Sequence, residues 1–167
     1  DGCNNFCSYC LIPYLRGRSR SRDLQEILNE AKEISLRSKE IVLTGIEISD
    51  YKINGKKSLH ILMKELSNID ALIGLGSLEI GVITEEFLEI LANMTNFAPH
   101  FHLSLQSGDD NILKKMNRHY TSQEFYEKTR LIFKYFPNAN LTTDVIVGFP
   151  GETDEEFEET EKFLDQI

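Results

Sequence analysis

Cysteine occurs at three positions in this chain of 167 residues, Cys3, Cys7 and Cys10, all inside the opening stretch Asp1-Gly2-Cys3-Asn4-Asn5-Phe6-Cys7-Ser8-Tyr9-Cys10. An odd number packed this tightly suits metal or redox chemistry in a reducing compartment better than a disulfide framework. On a helix the spacing would merely stack the thiols on one face, but Gly2, Asn4, Asn5 and Pro13 favour a loop wrapped around a metal. Zinc would need a fourth ligand, and His60, His100, His102 and His119 are remote in sequence. Iron-sulfur clusters are ordinarily held by four thiolates. Three thiolates on a four-iron cluster leave one iron open to an incoming ligand, and Tyr9 stands beside the last thiol as a shield.

The surrounding composition bounds the partners. The chain carries 27 acids against 18 Lys and Arg, a formal charge of −9, which argues against a surface that grips nucleic acid everywhere. The exception is local: Arg16, Arg18, Arg20 and Arg22 follow the cysteines with no acid among them, whereas 152–161 is dominated by Asp and Glu. No apolar run approaches the ~18 residues of a membrane span, and no basic segment precedes an apolar one at the start, so a cytoplasmic setting is expected.

Elements that position these residues alternate in type. Asp23 caps a helix carrying Ile27, Leu28, Ala31 and Ile34; Glu40 to Thr44 reads as a strand; a polar loop through Asn54 and Gly55 leads to a helix over Ser58 to Leu66. A strand is expected around Leu75 to Ile80, a helix from Thr84, a strand over His100 to Gln106 and a turn at 107–110. Thr121 and Glu124 form a capping box for a helix ended by Pro137. Asn140 to Val147 is a fourth strand, and Thr153 with Glu156 caps a last helix. Repeated β/α units imply a parallel sheet, open or closed into a barrel, in a single domain over 1–167.

Alternation along these strands separates two faces. Phe101, Leu103 and Leu105 oppose His100, His102, Ser104 and Gln106; Leu141, Val145 and Val147 oppose Thr142, Asp144 and Ile146; Leu78 and Ile80 oppose Ser77 and Glu79. A barrel interior is normally filled with Val, Ile and Leu. A wall of hydroxyls, amides and a carboxylate instead predicts either a splayed barrel holding a polar ligand at the strand ends, or polar groups satisfying one another.

The cysteine loop resembles that of the radical S-adenosylmethionine methylthiotransferases. The likeness extends through Leu11-Ile12-Pro13-Tyr14 and Arg16-Gly17-Arg18-Ser19-Arg20-Ser21. It continues in Leu103-Ser104-Leu105-Gln106-Ser107-Gly108, in Met116-Asn117-Arg118 and in the run from Asp144 to Thr153. Leu43-Thr44-Gly45-Ile46 with Leu75-Gly76-Ser77-Leu78-Glu79 is most similar to the branch acting on N6-threonylcarbamoyladenosine beside the tRNA anticodon. The isopentenyladenosine-tRNA and ribosomal-protein S12 branches are the alternatives within the family. A non-catalytic module with thiol-bound zinc or a structural cluster, and arginine-bound RNA, is the alternative of another class.

The resemblance implies a partial (β/α) TIM-like barrel of the radical SAM type, truncated at both ends. It implies a [4Fe-4S] cluster on Cys3, Cys7 and Cys10 with one open iron, and S-adenosylmethionine cleaved there to methionine and a 5′-deoxyadenosyl radical. A second cluster in an N-terminal domain, a C-terminal RNA-binding domain, an external electron donor and a tRNA anticodon arm complete the expected system. Thr44 and Gly45 are expected near the methionine amine, and Glu79 and Gln106 near the amine or ribose. Arg118 is expected at the carboxylate, the backbone from Val147 to Phe149 at the adenine, and Arg16, Arg18, Arg20 and Arg22 on RNA. Glu152 is assigned to the start of the last helix. A missing first strand would leave an edge open to self-association.

Overall fold

A computed structural model describes residues 1–167. Five of its seven α-helices, all but those at Ile12–Leu15 and Leu59–Leu66, begin where side-chain oxygens replace missing backbone acceptors. Asp23 Oδ1 accepts from Gln25 N and Glu26 N to open α2 (Leu24–Ser35), which follows the single turn α1 (Ile12–Leu15). Both expected capping boxes form, at Thr121/Glu124 for α6 (Ser122–Tyr135) and at Thr153/Glu156 for α7 (Asp154–Leu164). Thr84 caps α4 (Glu85–Ala92), and α3 (Leu59–Leu66) follows Ser58.

Four short parallel strands lie in chain order: β1 (Glu40–Leu43), β4 (Leu72–Leu75), β5 (His100–His102) and β6 (Asn140–Thr142). Glu40 pairs with Leu72 and Leu43 with Leu75; single bridges at Ile73–Phe97 and Leu78–Leu103 join the next strand; His100 pairs with Asn140 and His102 with Thr142. Strands that follow one another in chain order, each crossed by helices on one face, describe a segment of a β/α barrel rather than a doubly wound sheet. No helix is long and apolar enough to cross a membrane.

The two faces divide as the alternation predicts except at Val147, which it places on the apolar face and which is exposed. Phe101, Leu103 and Leu105 have no exposure and join α3, α4 and α6 in one core that also takes in Met63, Leu66, Leu88 and Leu91. His102, Ser104 and Gln106 face inward, half-buried. Part of that wall satisfies itself: His100 Nε2 and His102 Nδ1 both contact Thr142 Oγ1, at 2.9 and 3.0 Å, and His102 Nε2 lies 3.4 Å from Asp144 Oδ2.

Several expectations shift. The strands placed over His100 to Gln106 and Asn140 to Val147 run only over His100–His102 and Asn140–Thr142, continued by single bridges at Leu78–Leu103 and Gln106–Val145. The strand placed at Leu75 to Ile80 runs from Leu72 to Leu75, and beyond it only Leu78 pairs, because a 3-10 turn at Ile80–Val82 takes over. Its glycine lies close to the facing strand: a Cβ on Gly74 would lie 3.3 Å from Val42 Cγ2. The polar loop at Asn54-Gly55 is a hairpin of β2 (Lys52–Ile53) and β3 (Lys56–Lys57), its two turn residues at φ 51° and 78°. The turn at 107–110 opens into α5 (Asp110–Lys115), because Asp109 Oδ1 accepts from Asn111 N and Ile112 N.

The start of α5 is clamped to α7. Thr160 Oγ1 meets Ser107 Oγ at 3.1 Å and accepts from Gly108 N at 3.0 Å. A Cβ on Gly108 would fall 2.7 Å from Phe163 Cβ and 2.9 Å from Thr160 Cα, and the latter is backbone that cannot rotate away. Gly108→Ala is therefore expected to cost about 1–3 kcal/mol through overpacking, read as a lower urea midpoint at unchanged m-value; an unchanged midpoint would show that α7 is not held tightly there.

Candidate active site at the cysteine loop

The cysteine loop is closed at its neck by backbone. Cys3 N donates to Gly17 O, Arg20 N donates to Asp1 O, and Asp1 Oδ1 accepts from Gly2 N. Gly2 is buried at φ 77°, and a Cβ there would lie 2.2 Å from Arg18 O, so no other residue fits. Across the loop, the end of α5 supplies a second set of anchors. Ser8 N donates to Met116 O at 3.0 Å, Ser8 Oγ donates to Lys115 O, and Asn117 Nδ2 donates to Asn5 O and Phe6 O at 3.3 and 2.9 Å. Phe6 and Asn117 both adopt left-handed backbone, at φ 52° and 57°.

Cys7 is buried, while Cys3 and Cys10 are half-buried. Burial pushes the Cys3 thiol up, the Asn5 N–H opposes this, and Glu47, Cys7 and Cys10 add to the rise. The three thiols thus share one electrostatic environment. A structural zinc ordinarily takes four protein ligands, whereas each of three thiolates can take a different iron of a cluster. The donor set fits the latter.

Beside the loop opens a polar cleft of about 550 Å³, its walls including Asn5, Cys7, Glu47, Glu79, Arg118 and Tyr120. The Arg118 side chain is 5% exposed. Its Nη2 donates to both Glu79 oxygens at 2.8 and 2.9 Å and to Ser104 O at 2.9 Å; Nε donates to Tyr120 Oη at 3.0 Å; Nη1 donates to Cys7 Sγ at 3.3 Å. Burial disfavours the Arg118 charge, but Tyr120, Glu79 and Cys7 more than offset it and hold its pKa above the ordinary arginine value. Tyr120 in turn donates to Ser104 O and Leu105 O at the end of β5, and burial raises its phenol's pKa against the lowering effect of Arg118.

The sequence-derived residues do not all converge. Glu79 and Arg118 meet, and the guanidinium's five N–H groups are so engaged that one Nη1 hydrogen at most remains for an outside carboxylate. Thr44 and Gly45 line a second cleft of about 300 Å³ beneath β1, and Glu47 borders both. Gln106, at φ 73°, donates its N–H to Asp144 O and accepts from Ile146 N, which places it on the inner wall. Val147 is exposed and Phe149 half-buried. The Gly148 and Phe149 N–H groups are bound by Glu152, which therefore ties the loop before α7 instead of starting the helix.

The arginines hold local partners. Arg16 and Arg20 reach Asp1, Arg22 reaches Glu30 at 2.5 Å, and Arg18 stacks 4.4 Å over the Phe6 ring. The three ion-paired side chains remain more than half exposed, a setting in which such pairs contribute little and exchange readily. Residues not foreseen are Glu47, Asn117, Tyr120 and the exposed Tyr14. Asn117 stands beside Arg118, and an exposed aromatic beside a basic run was the available signal for Tyr14.

The radical SAM superfamily profile matches residues 1–164. The chain is 44% identical over 170 residues to the threonylcarbamoyladenosine tRNA methylthiotransferase MtaB of Aquifex aeolicus, across 100% of this chain and 42% of that relative. It is 41% identical to the same-named protein of Bacillus subtilis, covering 98% of this chain and 38% of the relative. It is 40% identical to the tRNA-2-methylthio-N(6)-dimethylallyladenosine synthase of Clostridium botulinum (strain Okra), covering 99% and 38%. The chain thus spans about 40% of the length of these curated relatives. Among solved structures it resembles the apo cobalamin-dependent S-adenosylmethionine radical enzyme OxsB, with TM-score 0.78 at 16% identity over 98% of this chain and 25% of that one. It also resembles Streptococcus suis SuiB bound to S-adenosylmethionine, with TM-score 0.61 at 15% identity over 99% and 34%. At these identities the likeness concerns the fold.

Glu47 gives this cleft a pH signature. Burial raises its pKa, Glu79 adds to the rise, and hydrogen bonds from Ser49 and Asn5 lower it without cancelling the effect. The folded carboxyl therefore binds its proton more tightly than an unfolded one, and stability is lost as pH rises between the two pKa values. Glu47→Gln removes that loss, so the variant is expected to gain on the unsubstituted protein as pH rises from about 4 to about 7 in urea denaturation. A difference independent of pH would show that the carboxylate pays no burial cost.

Proposed function

Since the chain belongs to the radical SAM superfamily, we propose that it is the core of a tRNA methylthiotransferase that adds a methylthio group to carbon 2 of N6-threonylcarbamoyladenosine beside the anticodon. The observation that carries this reading is the 44% identity to a relative of that name over the whole chain. A dimethylallyladenosine enzyme at 40% makes the isopentenyladenosine branch the second reading. Superfamily membership implies a [4Fe-4S] cluster and S-adenosylmethionine.

Cys3, Cys7 and Cys10 would hold that cluster, with one iron left for the cofactor. When bound, the cluster supplies the electron that cleaves S-adenosylmethionine. The chain's own residues orient and exclude. Asn117 and Ser8 fix the loop against α5, Asn5 links it to Glu47, the clefts beside it offer Glu79, Thr44 and Gly45 to the cofactor's polar groups, and Gln106 on the inner wall is proposed as a further partner. Val147 and Phe149 remain proposed neighbours of the adenine through their side chains and carbonyls, since Glu152 occupies the nearby Gly148 and Phe149 N–H groups.

RNA would approach the cysteine loop across Arg16, Arg18, Arg20 and Arg22. Tyr14 at 74% exposed offers a ring for an unstacked base there, the usual way a single-stranded loop is held. In this reading 1–167 is the radical SAM core of a cytoplasmic protein, served by an external electron donor and by a second cluster and RNA-binding domain elsewhere in the whole protein. The unpaired outer edge of β1 supports self-association of this segment.

Two measurements test the proposal. Anaerobic reconstitution should give about four iron per chain and 5′-deoxyadenosine on adding S-adenosylmethionine and a low-potential reductant; tight zinc with no cofactor cleavage would favour a non-catalytic module. In the full-length protein, mass analysis of tRNA nucleosides should find the methylthio group on threonylcarbamoyladenosine; a product on isopentenyladenosine overturns the branch.

Replacing all four arginines by Gln should weaken tRNA binding by the full-length protein and flatten its salt dependence by up to about 3 to 4 units of log K against log salt, leaving cofactor cleavage intact. Unchanged tRNA affinity would remove this surface from the account.

A further inference from the structure

A cysteine thiolate that serves a metal is commonly adjusted by the groups that hydrogen-bond its sulfur. Cys7 is the buried thiol of the three, and its sulfur accepts from Arg118 Nη1 at 3.3 Å. Nothing in the mechanism above requires that contact. The guanidinium is held in place from three other directions: Glu79 below, Ser104 O at the end of β5, and Tyr120, whose ring lies 4.9 Å from its central carbon. It is thus a fixed, dry, positive group aimed at one sulfur.

We propose that Arg118 sets the reduction potential of the cluster held by Cys7, and that Glu79 trims the effect. This inference rests on the reading of the three thiols as cluster ligands. Reduction adds one electron from a low-potential external reductant to the cluster, so its negative charge rises by one. A cation and an N–H donor at the ligand sulfur stabilise the more negative state and raise the potential. Glu79 places a compensating negative charge on the same guanidinium, pulling the potential back down. The two residues therefore act in opposite directions on one quantity, although they form one ion pair. A purely structural pair would not behave so, since losing either partner would loosen the same loop in the same way.

The experiment is a redox titration of the anaerobically reconstituted chain, followed by the electron paramagnetic resonance of the reduced cluster, without S-adenosylmethionine so that any cofactor role of Glu79 is silent. Arg118→Met is expected to lower the midpoint by about 59 mV or more, a tenfold fall in the reduced-to-oxidised ratio at fixed poise. Glu79→Gln, whose amide oxygen still accepts from Arg118, is expected to raise it. An unmoved midpoint in Arg118→Met, or shifts of the same sign in both variants, overturns the proposal. Should Arg118→Met hold no cluster, Glu79→Gln decides alone: a rise supports the proposal, and no change or a fall overturns it. A wild-type chain that binds no cluster at all refutes instead the assignment of the thiols, and this inference falls with it.

Discussion

A buried guanidinium tolerates no casual neighbours. Taking such a charge out of water costs several kcal/mol unless its N–H groups are met and its charge answered. Arg118 meets that demand by recruiting four separate stretches of chain: the cysteine loop through Cys7, the turn after β4 through Glu79, the end of β5 through Ser104, and the start of α6 through Tyr120. Each partner is itself constrained. Glu79 N donates to Ser49 Oγ, and Ser49 N donates to Glu47, whose other oxygen accepts from Asn5 in the cysteine loop. The ring of contacts therefore closes on itself. The strand ends, the loop and the cleft have one mutually consistent arrangement.

The elements farther out serve that ring. α5 is only six residues long, but one end is gripped by Thr160 of α7 and the other carries Lys115 to Arg118 against the cysteine loop. Lys115 adds a tie of its own, reaching Gly151 O and Glu156. The helix works as a strut between the last helix and the thiols. On the inner wall, the imidazoles that share Thr142 leave Ser104 and Gln106, nearer the strand ends, to face the open side. Polar residues on that wall thus divide into a self-satisfied lower part and an upper part beside the cleft.

Much of this architecture is legible in the residues. Thr121 with Glu124 and Thr153 with Glu156 announce two helices because capping is local chemistry, and Phe101, Leu103 and Leu105 announce a buried face because pleating is strict. What escapes is tertiary. Gly74 weakens the reading of β4, yet it is small because Val42 lies against it. Asp109 reads as a turn residue until its carboxylate is seen capping α5. At the site, the clustering of three thiols is visible in the residues alone. The burial of Glu47 and the engagement of nearly every Arg118 donor depend on partners tens to more than a hundred residues away, and no local pattern records them.

The anchoring of the cysteine loop also has a consequence in time. The groups that hold the loop of Cys7 against α5 are synthesised 107 to 112 positions after the residues they hold. At synthesis rates of about 5–20 residues per second, that gap lasts roughly 5 to 20 s. Throughout it the cysteine loop can have its neck, closed at Gly17 and Arg20, but not its anchors beside α5. The thiols must therefore stay reduced through that interval, and the proposed cluster would meet a finished receptacle only once residue 118 has emerged and folded back.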